Sequence, residues 1–186
     1  MKLVYPNRGF KERARRFLVA WRLLRGALGP RTFSEPFWIY GSKEFQVRTQ
    51  QVLALLKERV PETYRLLQTY IHGIMSTVPS GVYTFQLAKS RTLIAIGPRI
   101  SQRSTIEYAA SLAHEIQHCE YYVRDRIARP DRSTTLESSH EQEERACLAY
   151  QCQVLRVLGA DEQMVQWYEK AIDTRWWEVP FEERDW

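Results

Sequence analysis

SLAHEIQHCEYY, residues 111–122, is the stretch on which the reading of this chain turns. It holds His114, Glu115 and His118 in the spacing H-E-x-x-H, and the whole chain has only four histidines. Residues four apart on a helix lie one above the other on one face, so a helix here brings two imidazoles within reach of one ion. Zinc takes such nitrogen donors and favours four ligands in a tetrahedron. Glu115 is rotated by about 100° from His114. From there it flanks a metal without binding it and can take a proton from a water that the ion has made acidic. The competing reading is a pair of structural histidines that chance has set one turn apart.

The surrounding residues weigh these readings. Ser104 and Glu107 form a capping box, so a helix starts there and is expected to run towards Ala128, ahead of Pro130. Ala109, Leu112, Ile116, Cys119 and Val123 define its main apolar face. His114 and His118 lie nearly opposite that face, beside Glu107, Ala110, Ser111 and Tyr121. The small residues leave room for a ligand, and the Lys and Arg expected of a solvated face are scarce.

A third ligand has to come from elsewhere. EQEERACLAYQCQVLRVL, residues 141–158, reads as the next long helix, with Ser138–Glu141 or Ser139–Gln142 as its capping box and Gly159 as its stop. An apolar stripe of Cys147, Tyr150, Val154, Val157 and Leu158 places Glu143 near its centre, Glu144 towards its edge and Glu141 well away. A carboxylate aimed inward is costly unless a cation meets it. Glu143 is therefore the expected third ligand, with Glu144 in reserve. His140 points towards the same stripe, as a lining residue or a ligand in its own right. His72 stands alone in another segment and reads as a packed or surface residue.

With these residues in place, the chain resembles the gluzincin-type zinc metallopeptidases, whose pattern is H-E-x-x-H followed by E-x-x-A on the next helix. His114, Glu115, His118, Glu143 and Ala146 match it residue by residue. The metzincin pattern is excluded, because Tyr121 and Arg124 stand where it needs Gly and His. The resemblance spans roughly residues 70–158 and implies a compact zincin-like domain that hydrolyses peptide bonds. In it His114, His118 and Glu143 hold Zn2+, and Glu115 is the catalytic base. It also implies that an edge strand ahead of the active-site helix pairs with an extended peptide or protein substrate. Thermolysin-like members carry an Asp four residues after the glutamate, and here that position is Cys147. The donor to the transition state is often Tyr or His in such proteins, which makes Tyr121, Tyr150 and Tyr168 candidates.

The rest of the chain fits a single domain of 186 residues. Val82–Leu87 and Thr92–Ile96 have strand composition, with AKSR turning the chain between them. Helices are expected over residues 42–60 behind Ser42, over 61–75 behind Pro61, and over 162–172 behind Asp161, with GPRTFSEPFWIYG, residues 29–41, as a connector. The fold class is α+β, mostly helical, with a small hairpin or sheet before the H-E-x-x-H helix.

Charge divides the chain further. Residues 1–31 hold nine Lys and Arg against Glu12 alone, a surplus of eight, so the remainder carries −3 of the total +5. Such a segregated charge argues against a nucleic-acid protein. Phe10, Ala14, Phe17, Trp21, Leu24 and Leu28 make an apolar stripe on a basic helix. That helix packs on the domain, or touches a membrane surface or acidic partner. The organisation is thus 1–31 as a basic amphipathic helix, 32–160 as the zincin-like domain, and 161–186 as a last helix and aromatic, acidic tail. That tail packs on the core, or covers the cleft and keeps the enzyme latent. An alternative function follows: a non-catalytic, zinc-stapled binding module that works through its N-terminal helix. Three cysteines give no disulfide framework and suit a reducing, cytoplasmic setting. FLVAW, residues 17–21, is too short for a secretory signal and is followed by Arg22.

Overall fold

The computed structural model describes residues 29–77, 81–83, 92–121, 123–124 and 136–174, with the backbone alone at 81–83 and 136–140. The chain enters through a hairpin. Strand β1 (Arg31–Ser34) pairs antiparallel with β2 (Phe37–Tyr40) across Glu35 and Pro36, whose peptide bond is cis. A connector was expected here. Two four-residue strands are too short for alternation to stand out against the flanking Gly and Pro, so the pairing is invisible until β2 finds a neighbour.

Helix α1 (Lys43–Arg59) follows, its first turn closed by Phe45 N–H donating to Ser42 Oγ at 3.2 Å. Helix α2 (Pro61–Tyr70) starts with Pro61 in the first turn, where its missing N–H costs nothing. A helix is expected as far as Met75, but α2 stops at Tyr70 and the chain becomes strand β3 (Ile71–Ser76). Gly73 explains the change. It faces Trp38 across a parallel pairing, and a Cβ on it would lie 2.4 Å from the Trp38 carbonyl oxygen. The glycine that weakens a helix is what lets the two backbones approach.

Strands β4 (Gly81–Tyr83) and β5 (Thr92–Ile96) complete a five-stranded sheet in the order β1-β2-β3-β5-β4. The inner strands β2, β3 and β5 are parallel, and β1 and β4 run antiparallel at the two edges. Of the strand expected over Val82–Leu87, the described part ends at Tyr83. Four further helices are α3 (Pro98–Ser101), α4 (Thr105–Tyr121), α5 (Leu136–Leu158) and α6 (Glu162–Asp173). The molecule is an α+β protein, mostly helical, with its small sheet ahead of the H-E-x-x-H helix.

One face of the sheet carries the main core. Phe37, Ile39, Ile74, Ile94 and Ile96 point towards the helices and meet Leu56, Leu67, Leu112, Ile116, Leu148 and Leu155. The register shift between Ile71 and Gly73 lets Ile71 share that face with Ile74, three positions on. Tyr40, Met75, Leu93 and Ala95 form a separate cluster on the opposite face, with Trp38 against it. Helix α4 runs through the middle of the helical layer and is buried almost all round, from Tyr108 to Ile116.

Local chemistry sets the ends of these helices. Glu107 N–H donates to Ser104 Oγ at 3.2 Å and Ser104 N–H donates to Glu107 Oε2 at 3.3 Å, the reciprocal pair of a capping box. Helix α5 ends at Gly159, whose φ is +80°. Ala160 N–H returns to the Leu155 carbonyl and Gly159 N–H to that of Arg156, closing a Schellman motif. Met164 N–H donates to Asp161 Oδ1 at 2.8 Å and opens α6. The start of α5 is a correction: it begins at Leu136, so Ser138 and Ser139 lie inside the helix rather than capping it.

The basic helix expected over residues 10–28, the tail beyond Thr174, the reach of α4 towards Ala128 and the side chain of His140 lie outside the described residues. Among the described residues no helix is long and apolar enough to cross a membrane.

Candidate metal centre

Helix α4 stacks His114 under His118 and turns both rings to α5, which lies along it. The two Nε2 atoms are 3.0 Å apart. Glu144 of α5 completes the group, with Oε2 at 3.6 Å from His114 Nε2 and Oε1 at 3.5 Å from His118 Nε2. One ligand atom from each of the three lies within 4.8 Å of the others. Zinc bonds to nitrogen or oxygen run about 2.0–2.1 Å, and tetrahedral angles then set the ligand atoms about 3.3–3.4 Å apart. Two imidazole nitrogens and a carboxylate oxygen at 3.0–3.6 Å fit such an ion in both chemistry and spacing. Among the described residues no fourth His, Cys, Asp or Glu joins this group.

Both histidines and Glu144 are largely removed from water, and their charges answer one another. Burial pushes the Glu144 carboxyl up, but hydrogen bonds and charge from His114 and His118 outweigh it and hold it well below the usual carboxylate range. Burial alone would lower His118. Hydrogen bonds with Cys147, Glu143 and Glu144 overcome that and hold the imidazole well above its ordinary value. The pocket thus concentrates negative charge around two rings, as a cation site requires.

Glu115 is 6% exposed. Burial raises its carboxyl above the usual range, the neighbouring His114 and His118 pull it down, and Glu144 pushes it up again. It is therefore buried beside both imidazoles without belonging to the triplet.

Glu143, expected as the third ligand, occupies a different place. Its Oε1 lies 3.0 Å from His118 Nδ1, across the ring from Nε2. The carboxylate in the triplet belongs to Glu144, the residue held in reserve. Burial follows the same order, with the Glu144 side chain 11% exposed and that of Glu143 27%. The apolar stripe read from the sequence omits Leu148, Cys152 and Leu155, all buried, and includes Val157, which is 46% exposed. Glu144, Leu148, Gln151, Leu155 and Leu158 recur at spacings of four and three down the buried side of α5. That pattern is visible in the sequence, and it puts Glu144 on the core-facing stripe.

The other expected residues divide clearly. Glu141 pairs with Arg145 at 3.1 Å on α5. His72 is exposed on β3. Tyr168 Oη takes a hydrogen bond from Arg103 at 3.1 Å, and Tyr150 Oη shares one with Thr63 at 2.7 Å, so both phenols serve helix packing. Tyr121 differs: burial and the nearby Cys147, Glu120 and Glu143 push its phenol up. Cys147 is buried beside His118.

No family model, curated protein or solved structure matches this chain. The likeness to gluzincins rests on the H-E-x-x-H spacing and a downstream glutamate. If that glutamate is Glu144, Cys147 stands where the family pattern has Ala.

Proposed function

We propose that this protein is a zinc-dependent peptidase in which His114, His118 and Glu144 hold the metal and Glu115 is the catalytic base. The observation that carries the reading is the buried Glu115 beside a group to which the described residues give three donors, the number that leaves a position for water and substrate. When bound, zinc supplies polarisation of the scissile carbonyl and a water acidified towards neutral pH.

The chain's own residues then have defined tasks. Glu115 accepts a proton from the attacking water as the new C–O bond forms. It returns that proton to the nitrogen as the C–N bond breaks, so the amine leaves neutral. His114, His118 and Glu144 keep fixed positions because α4 and α5 are packed along their length. Strand β4 supports a peptide as the substrate. It ends the described sheet, runs antiparallel to β5 and lies against α4, so an extended chain could add to its edge.

The test uses Glu115→Gln in the full chain, assayed on a mixture of quenched fluorescent peptides. Wild-type protein is expected to cleave at least one of them, and the variant to retain its zinc but lose turnover. Zinc-loaded wild-type protein that leaves every peptide intact, or a variant that still cleaves, would remove the hydrolytic role.

A further inference from the structure

The structure assigns a separate task to Glu143: we infer that it is a positioning residue, fixing the ring of His118 so that Nε2 faces the metal group. This inference rests on the reading that His114, His118 and Glu144 hold a metal. The two nitrogens of an imidazole point away from each other. In His118, Nδ1 meets Glu143 Oε1 at 3.0 Å while Nε2 meets His114 Nε2 at 3.0 Å and Glu144 Oε1 at 3.5 Å. A ring that donates its Nδ1–H to a carboxylate carries its lone pair on Nε2, the tautomer that a metal needs from this direction.

Consecutive residues on α5 divide this work. Positions 143 and 144 differ by about 100° around the helix axis. One helix therefore sends two carboxylates to opposite edges of one imidazole. Glu143 keeps the outer edge, with 27% of its side chain exposed, and Glu144 the inner edge, with 11%. From the rim the outer carboxylate still reaches Nδ1 and orients the ring. It also makes Nε2 a better donor, because a carboxylate on Nδ1–H raises the basicity of the ring.

The test measures zinc affinity of the full chain against a chromophoric chelator, and the visible spectrum of the cobalt-substituted protein. Glu143→Ala is expected to weaken zinc binding roughly 10- to 100-fold while leaving one metal per chain and the cobalt bands unchanged. Glu143→Gln keeps an oxygen that can accept from Nδ1–H, and is expected to recover most of that loss. Glu144→Ala, by contrast, should abolish stoichiometric binding. Unchanged affinity in Glu143→Ala would leave Glu143 an idle rim residue and overturn the inference. Altered cobalt bands or lost stoichiometry in Glu143→Ala would make it a ligand and overturn it equally. If Glu143→Gln is as weak as the alanine variant, the hydrogen bond is not the cause. Failure of the wild-type chain to take up zinc would instead sink the metal reading itself, so the two failures are distinguishable.

Discussion

At His118 three side chains converge on one ring: Glu143 on Nδ1, and His114 and Glu144 at Nε2, with the buried Cys147 close by. The thiols themselves are poorly suited to chemistry. All three cysteines are free and buried. Burial pushes Cys152 up to about 11 and Cys119 up to about 12, and raises Cys147 as well. The thiolate is the reactive form, so the native protein should resist iodoacetamide at pH 8, and all three thiols should label once guanidinium unfolds it. Rapid labelling of the native chain would contradict this. The same shift fixes a sign for stability. The folded state holds the Cys152 proton more tightly than the unfolded chain, whose thiol titrates near 9.0. That contribution is intact below pH 9 and lost as pH climbs towards 11. Fully buried Tyr108, raised by burial, acts in the same direction. Urea midpoints should therefore fall over that range, and midpoints that rose would refute the assignment.

The scale of elements shows where sequence signals hold and where they fail. Asp161 caps α6 through one side-chain bond, and Asp161→Ala should cost about 1 kcal/mol in urea unfolding. Gly73→Ala should cost more, about 1–3 kcal/mol, because its Cβ would meet a backbone carbonyl and not a side chain that can move. A Gly73→Ala protein as stable as wild type would show that β2 and β3 can separate without loss. These two positions mark the division. Caps at Ser42, Ser104 and Asp161 and the stop at Gly159 depend on residues within a turn or so, and all were legible. Strands β2 and β3 depend on each other across a long stretch of chain, Trp38 beside Gly73, and β1 depends on β2. Gly73 reads as an interruption in a helix until Trp38 is placed beside it. The site divides in the same way. His114, Glu115 and His118 belong to one helix, so their spacing announces them. The choice between Glu143 and Glu144 depends on how α5 is rotated against α4. Leu148, Cys152 and Leu155 record that rotation, and a stripe drawn without them turns Glu143 inward where the structure buries Glu144.

For the whole molecule, the candidate metal group joins two consecutive long helices, α4 and α5. Zinc that binds only the folded chain adds stability by mass action, about 2.7 kcal/mol when free zinc is a hundredfold above Kd. For a chain of this size that corresponds to a rise in Tm of roughly 5–11 °C. Removal by EDTA should lower Tm by a similar amount and added zinc should restore it. A Tm indifferent to both would mean that the helices need no ion. The most direct measurement is the metal content of the full-length protein after exposure to zinc and exhaustive dialysis, determined by elemental analysis beside Glu144→Ala and His118→Ala. One zinc per chain is expected in the wild type and a substoichiometric trace in both variants. Wild-type protein without zinc, or variants that keep a full equivalent, would contradict the metal reading.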